Sequence, residues 1–124
     1  MKCVNKIWID GGTRNNNICL VDGQTDQIIV KKRGVINQLL TNNELEYLAL
    51  IYGLEYCNNV YPNKNVIIFS DSMLIVNQIN GKWRITTDRL LPLYKKCVNK
   101  LNEKIKIVWL SRKFNLAGHV LEKP

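Results

Sequence analysis

Thr41-Asn42-Asn43-Glu44-Leu45-Glu46-Tyr47-Leu48-Ala49-Leu50-Ile51-Tyr52-Gly53-Leu54 is the stretch on which the reading of this chain turns. Thr41 followed three residues later by Glu44 is a capping box, in which each side chain satisfies the other's backbone N–H, so a helix starts here. From Leu45 to Leu54 the helix is apolar on almost every side except at Glu46. Such a helix is covered on more than one face, and a carboxylate held there is costly unless something pairs it. Glu44 is used by the cap. Glu46 has no structural use of that kind and becomes the first candidate for chemistry.

Outward from this helix the chain alternates between short apolar runs and amphipathic segments. Cys3–Gly11 reads as a strand, with Val4, Ile7 and Ile9 apolar and Trp8 able to pack on the other side, ending on the turn signal Asp10-Gly11-Gly12. Asn15–Val21 and Gln27–Val35 read as an antiparallel hairpin whose polar connection contains Asp22 and Asp26, both assigned to the turn. After the central helix, expected to run to about Asn58, Val66–Phe69 has the continuous apolar character of a strand covered on both faces. It ends at Ser70-Asp71-Ser72, where Asp71 is a candidate cap for a helix over Ser72–Asn80. A loop carrying Lys82-Trp83-Arg84 follows. Then come a helix from about Asp88 to Glu103, with Leu90, Tyr94, Cys97 and Leu101 on one stripe, a strand Ile105–Leu110 and a terminal helix Asn115–Lys123. Pro92 falls in the first turn of its helix, where proline is tolerated. The sum is an α/β fold in one domain over residues 1–124: a mixed five-stranded sheet, three antiparallel strands then two parallel, with helices on both faces. The first strand and Val66–Phe69 should run parallel, with Asp10 and Asp71 at the edge where such sheets place their sites.

Composition narrows the function classes. The 124 residues suit one core, and no apolar run approaches the ~20 residues of a membrane span. Cys3, Cys19, Cys57 and Cys97 lack metal-finger or disulfide-framework spacing and read as reduced thiols of a cytoplasmic protein, three of them in the core. Residues 1–81 hold seven Lys/Arg and seven Asp/Glu, whereas residues 82–124 hold eleven and three, so the whole net charge of +8 sits in the second part. A polyanionic partner needs such a basic part, although a solvated basic face without a partner has the same composition.

Asp10, Glu46 and Asp71 come from three separate elements that this topology brings together. Taken singly, Asp10 reads equally well as a turn residue and Asp71 as a helix cap. Three neighbouring carboxylates stay ionised only beside a cation, and an all-oxygen donor set suits Mg²⁺ or Mn²⁺. Ile9-Asp10-Gly11-Gly12, Thr41-Asn42-Asn43-x-x-Glu46 and the strand-ending Ser70-Asp71-Ser72 together resemble type 1 ribonuclease H, in order and spacing along essentially the whole chain. The resemblance implies hydrolysis of the RNA strand of an RNA–DNA hybrid, leaving 3′-hydroxyl and 5′-phosphate ends, with two divalent ions held by Asp10, Glu46 and Asp71. It implies that Gly11, Asn42 and Asn43 contact the RNA sugar edge, that Gly12 also binds nucleic acid, and that Thr41 helps hold a DNA phosphate.

Two departures from the family pattern are visible. The family's fourth metal-site acid follows the last strand, in patterns like W-V-P-R-E-x-N-x-x-A-D. Here Trp109 to His119 runs in that register and puts His119 where the acid is expected. The expectation is an Asp-Glu-Asp-His site favouring Mn²⁺ over Mg²⁺, because imidazole is neutral and softer, with Glu122 one turn onward as the fallback ligand. The family's extra basic helix is also missing, and Lys82, Trp83 and Arg84 are assigned to the DNA strand by stacking and phosphate pairing; Trp83 could instead cover the edge of the core. Arg112 and Lys113 are further phosphate contacts. The enzyme is expected to act as a monomer, away from membranes. The competing readings are a hybrid-binding module without catalysis and another nuclease of the same superfamily. A proofreading exonuclease would show D-x-E rather than Asp10-Gly11-Gly12 on the first strand, and an integrase would lack the Thr41–Glu46 pattern.

Overall fold

The computed structural model describes residues 4–12, 17–25, 27–32 and 40–122. Its elements are β1 (Asn5–Gly12), β2 (Asn17–Asp22), β3 (Gln27–Lys32), α1 (Asn42–Val60), β4 (Val66–Ser70), α2 (Met73–Ile79), α3 (Leu91–Lys100), β5 (Ile105–Trp109) and α4 (Leu116–Glu122). A single 3₁₀ turn, Arg112–Phe114, joins β5 to α4. The sheet runs β3-β2-β1-β4-β5. Strands β1, β2 and β3 are antiparallel neighbours, and β4 lies parallel to both β1 and β5. This is the mixed five-stranded sheet expected from the sequence.

Alternation along β1 divides the protein into two layers. Ile7 and Ile9 face the main core, where they meet Leu45, Leu50 and Leu54 of α1. Trp8 faces the other way, stacks on Phe69 with ring centroids 5.5 Å apart, and joins Cys19, Val21 and Ala117 beneath α4. Both sheet faces are therefore covered, and α1 is sealed between the sheet and α3, as its nearly uniform apolar surface requires. Cys19, Cys57 and Cys97 are buried and stand outside any disulfide; Cys3 lies outside the described residues.

Local signals set the helix ends. Thr41 caps α1 with the full capping box, its hydroxyl accepting from the Glu44 N–H while Glu44 Oε1 accepts from the Thr41 N–H at 3.0 Å. Glu44 also pairs with Arg89 at 2.8 Å, tying the loop before α3 to the start of α1. The cap of α2 is Ser72, not Asp71: its hydroxyl accepts from the Ile75 N–H at 3.3 Å. That correction frees the Asp71 carboxylate. Helix α3 is shorter than expected, because residues 88–90 form a turn and Pro92 then opens a helix that ends at Lys100. The expected extension of β3 to Val35, and Asp26, fall outside the described residues.

Asp22 serves the turn as expected and does more besides. Its Oδ1 does accept from the Gln24 N–H at 2.9 Å, but the residue is fully buried and its Oδ2 accepts from Tyr56 Oη at 2.6 Å and Tyr61 Oη at 2.7 Å. Burial first and the Asp22 carboxylate second push the Tyr61 hydroxyl up to about 12, so it stays a donor. The hairpin is thus pinned to the end of α1, at the opposite end of β1 from Asp10. Asp22→Asn should lower the free energy of unfolding by roughly 1.5–3 kcal/mol, the range for hydrogen bonds to a charged group. The check is a urea transition at unchanged slope; a loss below about 0.5 kcal/mol would reduce Asp22 to a turn residue.

Candidate metal and nucleic-acid site

The register of the two parallel strands builds the site. Trp8 pairs with Phe69, so two residues further on Asp10, still within β1, comes level with Asp71, just past the end of β4. Glu46 approaches from the opposite layer, on the second turn of α1. What lets it arrive is Gly11: a Cβ there would lie 2.4 Å from the Leu45 carbonyl oxygen and 2.8 Å from the Glu46 nitrogen. With only hydrogen in that space, α1 backbone rests against β1 and the Gly11 N–H donates to Glu46 Oε1 at 2.7 Å. One carboxylate oxygen from each of Asp10, Glu46 and Asp71 then falls within 4.8 Å of the others.

The trio is strained electrostatically. Asp10 and Glu46 are nearly fully buried, and Asp10 Oδ1 and Glu46 Oε2 have no hydrogen-bond partner among the described residues. Burial above all, then the charge of Asp10, pushes the Glu46 carboxyl up to about 10. Burial likewise raises Asp10, against the lowering influence of the Glu46 side chain, and Asp71 raises it further. A buried Asp10–Glu46 pair that shares a hydrogen bond and still leaves one oxygen of each without a further partner is a donor set that a hard divalent cation satisfies.

Three groups compensate in part. Asn115, fully buried, donates through Nδ2 to Asp71 Oδ2 at 2.9 Å and to the Ile9 carbonyl at 3.0 Å, while its Oδ1 accepts from the Ala117 N–H at 3.1 Å to start α4. Arg112 places Nη1 3.5 Å from Asp71 Oδ2 and 3.8 Å from Asp10 Oδ2, and its Nε donates to Glu122 Oε1 at 2.9 Å. Trp109 donates from Nε1 to the Asp71 carbonyl at 3.0 Å, fixing the backbone that carries the acid. In the sequence Asn115 served as a register marker and Arg112 as a phosphate contact. Their grip on Asp71 was not readable, because it depends on how α4 crosses the end of the sheet.

Of the four residues expected to share the site, three converge and one does not. His119 is exposed and outside the group, its Nε2 donating to the Lys113 carbonyl at 2.8 Å. The position of α4 that faces the acids is Gly118, where a Cβ would sit 3.4 Å from Asp10 Oδ2 and 3.5 Å from Asp71 Oδ2. Gly11, Gly12, Asn42, Glu46, Asp71 and Arg112 line one open cavity of about 420 Å³. Thr41 and Asn43 stand exposed at the start of α1 beside Asn42. Lys82, Trp83 and Arg84 are exposed on the loop after α2. That loop is tethered from inside by buried Gln78, whose Oε1 accepts from Tyr47 Oη at 2.5 Å and whose Nε2 donates to the Arg84 carbonyl at 3.5 Å.

A five-stranded sheet of this order, with three acids meeting where β1 and β4 end, defines a ribonuclease H-like domain. Residues 17–123 match the family model described as reverse transcriptase-like, and the chain belongs to that family. The "Bifunctional protein Rv2228c" of Mycobacterium tuberculosis is 30% identical over 96 residues, which make up 71% of this chain and 25% of that protein. The chain thus spans about a quarter of the length of the curated relatives it matches. Among solved structures, LC11-RNase H1, isolated from compost, superposes with a TM-score of 0.76 at 26% identity, over 94% of this chain and 91% of that one. The same protein crystallised with an RNA/DNA hybrid gives 0.74 at 26% identity, over 90% and 88%.

The raised Glu46 carboxyl has a consequence without added metal. Its folded value lies above its ordinary 4.5, so between those pH values the folded chain holds a proton that the unfolded chain has lost. Stability then falls as pH rises through the neutral range, by at most about 1.4 kcal/mol per pH unit for one proton. Denaturation in chelator from pH 5 to 9 should show this decline, and Glu46→Gln should flatten it. An equal slope in both proteins would remove Glu46 as its source.

Proposed function

We propose that the chain is a metal-dependent endonuclease of the type 1 ribonuclease H kind, hydrolysing the RNA strand of RNA–DNA hybrids. The observation that carries this reading is the convergence of Asp10, Glu46 and Asp71 at the end of two parallel strands, with buried oxygens left unpartnered. Those oxygens fit Mg²⁺ or Mn²⁺. Two such ions, when bound, supply a water activated for attack on a phosphodiester and neutralise the charge developing on the leaving oxygen.

The chain's own residues do the rest. The Gly11 N–H fixes one oxygen of Glu46, and Asn115 with Trp109 holds Asp71, so the acids are aimed before any ligand arrives. Gly11, Gly12 and Asn42 line the cavity beside the acids, where a bare backbone and an amide suit an RNA sugar edge and its 2′-OH. The tethered loop with Lys82, Trp83 and Arg84 offers a half-exposed indole flanked by cations to the DNA strand. A hybrid meets both surfaces; a single strand meets one.

Incubating the protein with labelled RNA–DNA hybrid, double-stranded RNA and double-stranded DNA, in Mg²⁺ and in Mn²⁺, tests the reading. Cleavage of the RNA in the hybrid alone, falling by at least about 10²-fold in Asp71→Asn, is the expected result. Hybrid binding without cleavage in either metal would make the domain a binding module. Trp83→Ala should weaken hybrid binding about 5- to 100-fold, the range of one stacked base, while leaving the melting temperature within a few degrees. A large melting loss with unchanged affinity would assign the indole to the core edge.

A further inference from the structure

The loop after α2 is held at both ends, and by different means. Backbone bonds close the helix in the pattern of a glycine stop. Gly81, at φ +77°, donates to the Gln78 carbonyl at 3.1 Å, and Lys82 donates to the Asn77 carbonyl at 2.8 Å. The Trp83 N–H shares that Asn77 carbonyl at 3.1 Å. These bonds fix where the chain leaves the helix, but they stop at Trp83. The Arg84 carbonyl is held by a side chain instead, accepting from Gln78 Nε2 at 3.5 Å, and Ile85 then packs against the main core. Trp83 therefore stands between two anchored peptides with its indole half-exposed.

A carboxamide can turn either end toward a carbonyl, and only its nitrogen is attracted there. Tyr47 decides which end Gln78 presents. Burial above all pushes the Tyr47 hydroxyl upward, so it stays a donor. It donates to Gln78 Oε1 at 2.5 Å and leaves Nε2 for Arg84. Both side chains are buried, Tyr47 at 0% and Gln78 at 4% exposure, in a place where an apolar pair would pack without desolvating polar atoms. Tyr47 directly follows Glu46, and neighbours on a helix point about 100° apart, so α1 delivers an acid to the site and this hydroxyl to α2. Helix α2 in turn starts just after Asp71 and spans about 10 Å over its seven residues. We infer that Tyr47 and Gln78 are positioning residues that set the Lys82–Arg84 loop at a fixed reach from the acids. The DNA strand of a hybrid then meets a loop already in place, while the RNA strand lies over Asp10, Glu46 and Asp71. The inference rests on the proposed hydrolysis of hybrids and deepens it, naming what keeps the second strand in register with the first.

Steady-state cleavage of hybrid in Mn²⁺, with fluorescence anisotropy on the same hybrid in an Asp71→Asn background, tests the assignment in Tyr47→Phe, Gln78→Met and the double variant. Each single change should weaken hybrid binding roughly 3- to 10-fold, the cost of ordering loop side chains on binding, and raise KM by the same factor at unchanged kcat. Each also leaves a buried polar group unpaired and should lower the melting temperature. The double variant removes both groups and should melt nearer the wild type, yet bind hybrid no better than the single variants. Where Trp83 is already alanine, Gln78→Met should have no further effect on affinity. Affinity that recovers together with melting temperature in the double variant makes the pair a packing contact and overturns the inference. So does wild-type affinity in a folded Gln78→Met protein, or a Gln78→Met loss that persists in full without Trp83. Should Gln78→Met fail to fold, Tyr47→Phe, which removes one oxygen, and the double variant decide. The broader reading fails differently: a wild type that neither binds nor cleaves hybrid.

Discussion

The contact between the Gly11 N–H and Glu46 Oε1, at 2.7 Å, is the constraint on which the rest of the site depends. It requires α1 and β1 to touch backbone to backbone, and only a glycine permits that approach. Once α1 is seated there, its remaining surface has to be buried by something else. The sheet and α3 do so, with Ile7, Ile9, Leu45, Leu50, Leu54 and Cys97 in one cluster. The core is arranged around a polar contact at its edge, and the position of the acid dictates where the apolar layers lie.

Bringing acids together in this way opposes folding, since each desolvated carboxylate raises the cost of ionising its neighbours. The compensation is distributed over the molecule. The capping box and Arg89 hold the start of α1, Asp22 and two tyrosines hold its end, and Tyr47 with Gln78 ties its middle to α2. These polar contacts lie at different points along one helix, so α1 is fixed against sliding as well as against tilting. A slide of one residue along β1 would remove Glu46 from Gly11. Hydrophobic burial alone is not directional enough to prevent that.

Much of this was legible in the sequence, for identifiable reasons. Capping boxes, strand-ending Asp-Gly and Ser-Asp pairs, and a helix apolar on nearly every side are local signals, and they located the strands and helices of the described residues and the three converging acids. What stayed hidden was long-range. Asp22 looked like a turn residue because its two tyrosine partners lie 34 and 39 positions away. Asp71 looked like a helix cap because Ser72 beside it is equally suited to the task. His119 was aligned to the site by counting from Asn115, but a count along the chain does not give the rotation of a helix. The structure turns Gly118 and Glu122 toward the acids instead.

The charge distribution follows the same logic. The basic excess lies in residues 82–124, whereas Asp10, Glu46 and Asp71 belong to the electrically balanced first part, so the fold sets an acidic pit into a positively charged body. A body of that sign would attract a polyphosphate backbone at a distance, because exposed charges act over roughly a Debye length of ~8–10 Å. At contact it is repelled by the pit unless cations fill it. Arg112 belongs to both regions: it is half-exposed toward solvent, yet its guanidinium reaches Asp10, Asp71 and Glu122. A monovalent side chain offsets only part of the charge of three acids, so its placement lowers the cost of the ligand-free fold without abolishing the attraction for a divalent ion.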